Sequence, residues 1–146
     1  MNEKESFAGV FRRIQPKFSR LFSRILTEAG LTLPQYALLN QLLDTGPVPM
    51  TGLAVKLHIT KPAVTHLVDR LEKKQCLRRL PHPKDRRVSL LAIQPKGEKI
   101  VREMQTFILN FLLKTLDRFS TGEKKTISRF YARLSQTLDE VLAKQK

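Results

Sequence analysis

Between Phe7 and Ala29 the apolar residues are Phe7, Val10, Phe11, Ile14, Phe18, Leu21, Phe22, Ile25 and Ala29. Steps of three and four place them on one face, so the spacing predicts a long amphipathic helix. Pro16 lies inside this stretch, where its missing backbone donor is expected to kink or divide the helix near its first third. "GLTLPQYALL" then supplies a start signal. Thr32 can cap, Gln35 can reach back to complete a capping box, and Leu31 and Tyr36 occupy staple positions. A second helix is predicted from about Leu33 to Asp44, where "DTGPVP" stops it.

Two short helices follow. "TGLAVKLHI" has Thr51 as its expected cap and would bury Leu53, Ala54 and Leu57; "TKPAVTHLVDRLEKK" begins at Thr60, with Pro62 in the first turn, where a missing donor costs little. In the latter, Val64, Leu67, Val68 and Leu71 form the buried stripe. Pro62, Thr65, His66, Asp69 and Lys73 take the opposite face, with Lys61 and Arg70 on its flanks. Only His58 and Ile59 separate the two helices, the tight connection of a helix-turn-helix.

After Lys74 the period becomes strand-like, in "CLRRL" and "VSLLAI" joined by "PHPKDRR". Lys73, Lys74, Arg78, Arg79, Lys84, Arg86 and Arg87 crowd this hairpin around a single acid, Asp85, so a nearby counter-charge is expected. The last third is helical again. Pro95 opens one helix with Ile100, Val101, Met104, Phe107, Ile108, Phe111 and Leu112 on its stripe. Ser120 and Glu123 form a capping box for a final helix with Ile127, Phe130, Tyr131, Leu134, Leu138, Val141 and Leu142 expected inward.

Composition turns this outline toward a partner. The chain has 146 residues and a formal charge of +14, with 41% hydrophobic residues, so the charge is displayed on a folded surface and calls for a polyanion. Nucleic acid is the first candidate and an anionic membrane the second. No apolar run approaches the roughly 20 residues of a spanning helix, and a signal-peptide core is lacking, which leads to the expectation of a cytoplasmic protein without a membrane partner. Trp is absent and the aromatics sit at helical spacings, which fits core better than a base-stacking platform. The lone Cys76 cannot form an internal disulfide.

The second helix of a helix-turn-helix enters the DNA major groove, and only residues opposite its buried stripe touch base edges. Thr60 and Lys61 can meet a phosphate at the positive helix end. Pro62, Ala63, Thr65 and His66 are placed for bases, and Arg70 for a base or the backbone. The hairpin would be a wing, with Lys84, Arg86 and Arg87 available to the backbone and to a narrow minor groove that selects guanidinium groups. Asp85 would pair with a neighbouring guanidinium and hold the loop.

At these residues the chain resembles the MarR family of winged-helix transcriptional regulators. The likeness runs from "GLTLPQYALL" through "LAVKLHITKPAVTHLVDRLEKK" to "RRLPHPKDRRVSLLAIQPKG". Its most specific part is the Asp-x-Arg signature of Asp85, Arg86 and Arg87, followed by alternating apolar residues and Gly97. The resemblance implies a mainly α fold with a small β-hairpin. A winged helix-turn-helix DNA-binding lobe would occupy 31–94, flanked by dimerisation helices at 1–30 and 95–146. It implies a homodimer on a near-palindromic double-stranded site, a repressor in most relatives, with Asp85 and Arg87 as the wing-tip pair and Arg87 the minor-groove finger. It also implies a small aromatic effector in a cleft that Phe18, Phe22, Tyr36 and Phe107 would line. Three features depart from the family's pattern: Gln75 in place of a glycine at a helix end that often needs positive φ, Ile93-Gln94 in place of Leu-Thr, and Pro16 in a dimer arm.

Three scattered histidines and one cysteine offer no metal spacing, so neither a metal site nor a cofactor is expected. An enzyme is not expected either, since no Ser-His-Asp order or phosphate-binding glycine loop is present. Two other functions remain open. A non-specific nucleic-acid-binding or chromosome-structuring protein would use the same charge, and a redox-responsive regulator would act through Cys76. Against the latter, Cys76 occupies an apolar strand-entry position that favours burial.

Overall fold

The computed structural model describes residues 2–144. Helix α1, Glu3–Ala29, begins four residues before the apolar stripe because Asn2 caps it: Asn2 Oδ1 accepts from the Lys4 amide and Glu5 accepts from the Asn2 amide. The helix passes Pro16 undivided. Around Pro16 the helix is exposed, so the Arg12 carbonyl deprived of its donor can turn to water. Gly30 ends α1 at φ 66°.

Helix α2, Leu33–Thr45, starts at the predicted capping box: Gln35 N donates to Thr32 Oγ1, and the Thr32 amide donates to Gln35 Oε1 at 3.0 Å. That bond satisfies Gln35, which is buried. After the stop at Gly46, Val48–Pro49 forms a short strand, β1, that no periodicity announced. Helices α3, Leu53–Lys56, and α4, Lys61–Lys73, come next, then strands β2, Leu77–Pro81, and β3, Ser89–Ile93. The antiparallel sheet has order β1-β3-β2, with Val48 opposite Leu91 on one side of β3 and Leu77 opposite Ile93 on the other. Both strand prolines, Pro49 and Pro81, lie on edge strands, where a missing donor is tolerated.

The chain comprises two compact units, Met1–Met104 and Gln105–Lys146. The first holds the core, in which Leu38, Leu39 and Leu42 of α2 meet Leu53, Val68, Leu71, Leu77 and Leu91. Val101 and Met104 of helix α5, Pro95–Leu116, complete that cluster. Gly97 lies against β2, where a Cβ would overlap the Cys76 carbonyl.

The second unit contains the end of α5, a turn, and helix α6, Thr121–Ala143, capped by Ser120 with Glu123 as predicted. Within the single chain α6 buries none of its residues. Phe130, Tyr131, Leu134, Leu138, Val141 and Leu142 are all exposed rather than inward, as are Phe107 and Phe111 of α5. Among the described residues no helix is long and apolar enough to cross a membrane.

Candidate nucleic-acid interface

The helix-turn-helix is built by local backbone chemistry. Gly52, at φ 82°, occupies the N-cap of α3 and no side chain caps it, so Thr51 does not have the predicted capping role. At the other end His58 adopts φ 53°. His58 N donates to the Val55 carbonyl and Ile59 N to the Ala54 carbonyl at 3.0 Å, closing the turn onto α4. Thr60 caps α4 by accepting from the Ala63 amide at 3.3 Å. Val64, Leu67, Val68 and Leu71 are buried, which leaves Lys61, Pro62, Thr65, His66 and Arg70 exposed and Ala63 half-buried. The Thr65 hydroxyl donates to the Lys61 carbonyl at 3.3 Å, so toward solvent Thr65 offers a lone pair.

The counter-charge expected for the hairpin comes from α4. Arg79 of β2 reaches Asp69 at 2.5 Å and also Glu72, which accepts the Arg79 backbone amide as well. The hydrogen bond to Asp69 is the main cause that raises the Arg79 pKa above its ordinary value, against a smaller desolvation effect. Lys74 is likewise tied down, to the Gly30 carbonyl. Arg78, Lys84, Arg86 and Arg87 face solvent.

At the wing tip Asp85 Oδ1 accepts from the Arg87 amide at 3.0 Å and lies 4.0 Å from Arg87 Nε. Among the described residues Arg86 forms no ion pair, so the arginine that Asp85 restrains is Arg87. With 96% of its side chain exposed, Arg87 points out from a backbone that Asp85 orients. His82, in the loop between β2 and β3, accepts at Nδ1 from the Lys84 and Asp85 amides, both at 3.1 Å.

Between α4 and the wing lies an open cavity of about 400 Å³ with Met50, Ala54, Val55 and Val64 as its apolar lining. Lys61, Thr65 and Arg87 also line it, so it brings the start of α4 together with the wing tip. His66 and Arg70 instead line a second concavity with Asp69, Glu72 and Lys73. The candidate residues therefore divide between two sides of α4. Sequence reasoning missed Met50 and Val55, which carry no charge or motif. It also missed His82, whose role depends on which ring atom meets the amides.

Of the residues suggested for an effector cleft, Phe22 and Tyr36 meet edge to face with centroids 5.5 Å apart, and burial, then Asp44, raises the Tyr36 pKa. Phe18 is exposed on α1, and Phe107 belongs to the second unit. Cys76 is 1% exposed and its pKa is raised by burial, against the smaller opposing effects of Lys96 and Lys74. A buried thiol of that kind is poorly reactive.

The likeness to known proteins follows the same geometry. A model of the MarR family matches residues 31–89, from the start of α2 to the start of β3. The uncharacterized HTH-type transcriptional regulator YsmB of Bacillus subtilis is 30% identical over 99 residues, 68% of either chain. The chain belongs to the MarR family. A MarR family protein from Bacillus stearothermophilus has a solved structure that matches with a TM-score of 0.77 at 28% identity, covering 95% of this chain and 99% of that one. Staphylococcus aureus MepR, solved as a DNA complex, shares the fold with a TM-score of 0.72 at 20% identity, over 90% of this chain and 98% of that one. As a MarR-family transcriptional regulator, the chain carries the winged helix-turn-helix in its first unit. Family membership points away from catalysis.

Proposed function

We propose that this MarR-family regulator is a homodimeric, sequence-specific DNA-binding repressor. The observation that carries the reading is the convergence of Lys61, Thr65 and Arg87 on one concavity. A helix start and an arginine-tipped wing on either side of a groove suit a DNA strand: α4 in the major groove, the phosphate backbone across the cavity, and Arg87 in the neighbouring minor groove. Lys61 at the first turn of α4 meets phosphate with help from the helix dipole. Thr60, Pro62, Ala63, Thr65, His66 and Arg70 form the base-facing side of the helix, while Lys84 and Arg86 neutralise backbone around the tip. A formal charge of +14 supplies long-range attraction. Repression follows from occupying a promoter, and the dimer from the apolar surface that α6 leaves exposed.

Selection of bound duplexes from a random pool tests this. A near-palindrome with half-sites about one helical turn apart is the expected product. In that duplex Thr65→Ala or His66→Ala should cost about 1–3 kcal/mol and relax preference in the half-site core, whereas Arg87→Ala should act on flanking A/T-rich positions and reduce salt dependence. Recovery of unselected sequence at moderate salt would replace this reading with that of a non-specific nucleic-acid-binding protein.

A small aromatic effector has one observation in its favour, the Phe22–Tyr36 pair, which combines a stacking face with the polar handle of a phenol. Release of the selected duplex by simple phenols or aromatic acids, lost in Tyr36→Ala, is the matching test.

A further inference from the structure

The wing contains an imidazole that the proposed DNA contacts do not use. His82 Nδ1 lies 3.1 Å from two backbone nitrogens, those of Lys84 and Asp85. Both are donors, so the ring must accept there and carry its proton on Nε2. From the other side the His82 amide donates to the Val88 carbonyl, and the Val88 amide donates to the Asp85 carbonyl. Asp85, thus held at its amide and its carbonyl, uses its carboxylate to receive the Arg87 amide. A continuous series of hydrogen bonds links the ring of His82 to the backbone of Arg87.

A second proton on the ring would break this series at its first member. Nδ1–H would then confront two amide N–H groups with no acceptor between them. His82 is only half-buried, so solvent can deliver that proton. The charged residues of the wing are Lys84, Asp85, Arg86 and Arg87 in the loop and Arg78 on β2, all exposed. Arg79, also on β2, is already taken up by Asp69 and Glu72 of α4.

We propose that His82 is a positioning residue of the wing, whose neutral ring presets the tip that directs Arg87 and whose protonation releases it. The consequence for binding rests on the DNA-contacting reading above. Acid therefore weakens site-specific binding but not the general attraction of a +14 chain to phosphate, which makes the effect separable.

The experiment uses the full chain with His82→Asn and His82→Ala. Asparagine keeps a side-chain acceptor one bond beyond Cγ, in the place of Nδ1, and does not titrate. Ring and amide nitrogen shifts are followed by NMR from about pH 8 to about 5.5, the range in which histidine changes charge. At fixed ionic strength, affinity is measured for the duplex recovered by selection and for a shuffled duplex of equal length. In the wild type Nδ1 is unprotonated at the upper pH, and the Lys84 and Asp85 amides move together with the ring. The selected-to-shuffled ratio falls about tenfold with acid, the loss of one or two ordinary hydrogen bonds. His82→Asn removes this tenfold component whatever pH dependence the base-facing His66 adds, and His82→Ala shows the low ratio already at the upper pH. An Nδ1 proton at the upper pH, a His82→Ala ratio equal to wild type there, or a His82→Asn ratio that falls like wild type overturns the proposal. Failure to recover any preferred duplex overturns the DNA reading and the binding consequence, while the ring and amide titration still decides whether the latch exists.

Discussion

Three chain reversals in the first unit use the same pair of hydrogen bonds with different residues at the left-handed position. Gly30, His58 and Gln75 all have positive φ, and in each case the following amide reaches back five residues: Leu31 to Leu26, Ile59 to Ala54 and Cys76 to Leu71. Glycine meets this demand without steric cost and histidine is among the residues that tolerate it, whereas glutamine is not. Gln75, at φ 59°, thus carries the strain that its departure from the family's pattern implied. Gln75→Gly should stabilise the fold by about 1 kcal/mol, since the left-handed penalty exceeds the added chain entropy. Urea denaturation checks this through a higher midpoint at constant slope. Gly97→Ala should do the opposite. Its Cβ would overlap the Cys76 carbonyl, which already accepts the Gln94 amide at 2.9 Å, so α5 would have to shift from β2 at a cost of about 1–3 kcal/mol. A melting temperature equal to wild type would show that α5 moves without penalty.

At the scale of elements, Arg79 is the bracket between α4 and the wing. It joins Asp69 and Glu72 of α4 to β2, with 30% of its side chain exposed. Arg79→Met keeps most of the apolar stem and should cost no more than about 1 kcal/mol of stability. Its larger effect should be faster exchange of the Arg79 amide, which donates to Glu72, read by hydrogen exchange. The cap of α6 supplies a pH-dependent counterpart. Hydrogen bonds from the Ser120 hydroxyl and amide hold the Glu123 carboxyl below its ordinary value of 4.5. The unfolded cap binds the proton more readily, so the cap's stabilisation is present above that ordinary value and fades as pH falls through the lower folded value. The Ser120 amide should shift on acidification in the wild type but not in Glu123→Gln. These caps were legible in the sequence because Thr32-x-x-Gln35 and Ser120-x-x-Glu123 are local signals, and α4 was legible because its stripe matches the helical period. Strand β1 was not legible, because two residues have no period and Val48 is drawn into the sheet by Leu91 from far along the chain. The role of His82 escaped for a similar reason, since composition does not say which ring atom faces an amide. An unbroken α1 through Pro16 reflects solvent that satisfies the freed carbonyl, which the pattern of apolar positions does not encode.

For the whole molecule the unresolved quantity is apolar surface. In α6, Leu134 is 39% and Leu138 is 51% exposed, one turn apart on a stripe with Phe130, Val141 and Leu142. A solvated helix gains nothing from such a stripe, and a contiguous apolar surface of this kind marks an interface. In the proposed homodimer its occupant is a second copy, which would also set two identical winged lobes on the near-palindromic duplex expected from selection. Leu134→Glu and Leu138→Glu then make a clean test. Glutamate is a good helix former and both positions are solvated in the single chain, so helix content should hold while the pair interface acquires buried charge. Light scattering should show the wild type as a dimer and the double variant as a monomer. Affinity for the selected duplex should fall by about a hundredfold or more, since the second half-site no longer binds from within the same assembly. Affinity for an isolated half-site should be unchanged, because Lys61, Thr65 and Arg87 all lie in the first unit, away from the substituted helix in the chain. A wild-type monomer, or a double variant that remains dimeric and keeps full affinity, would reassign the stripe of α6 to another partner.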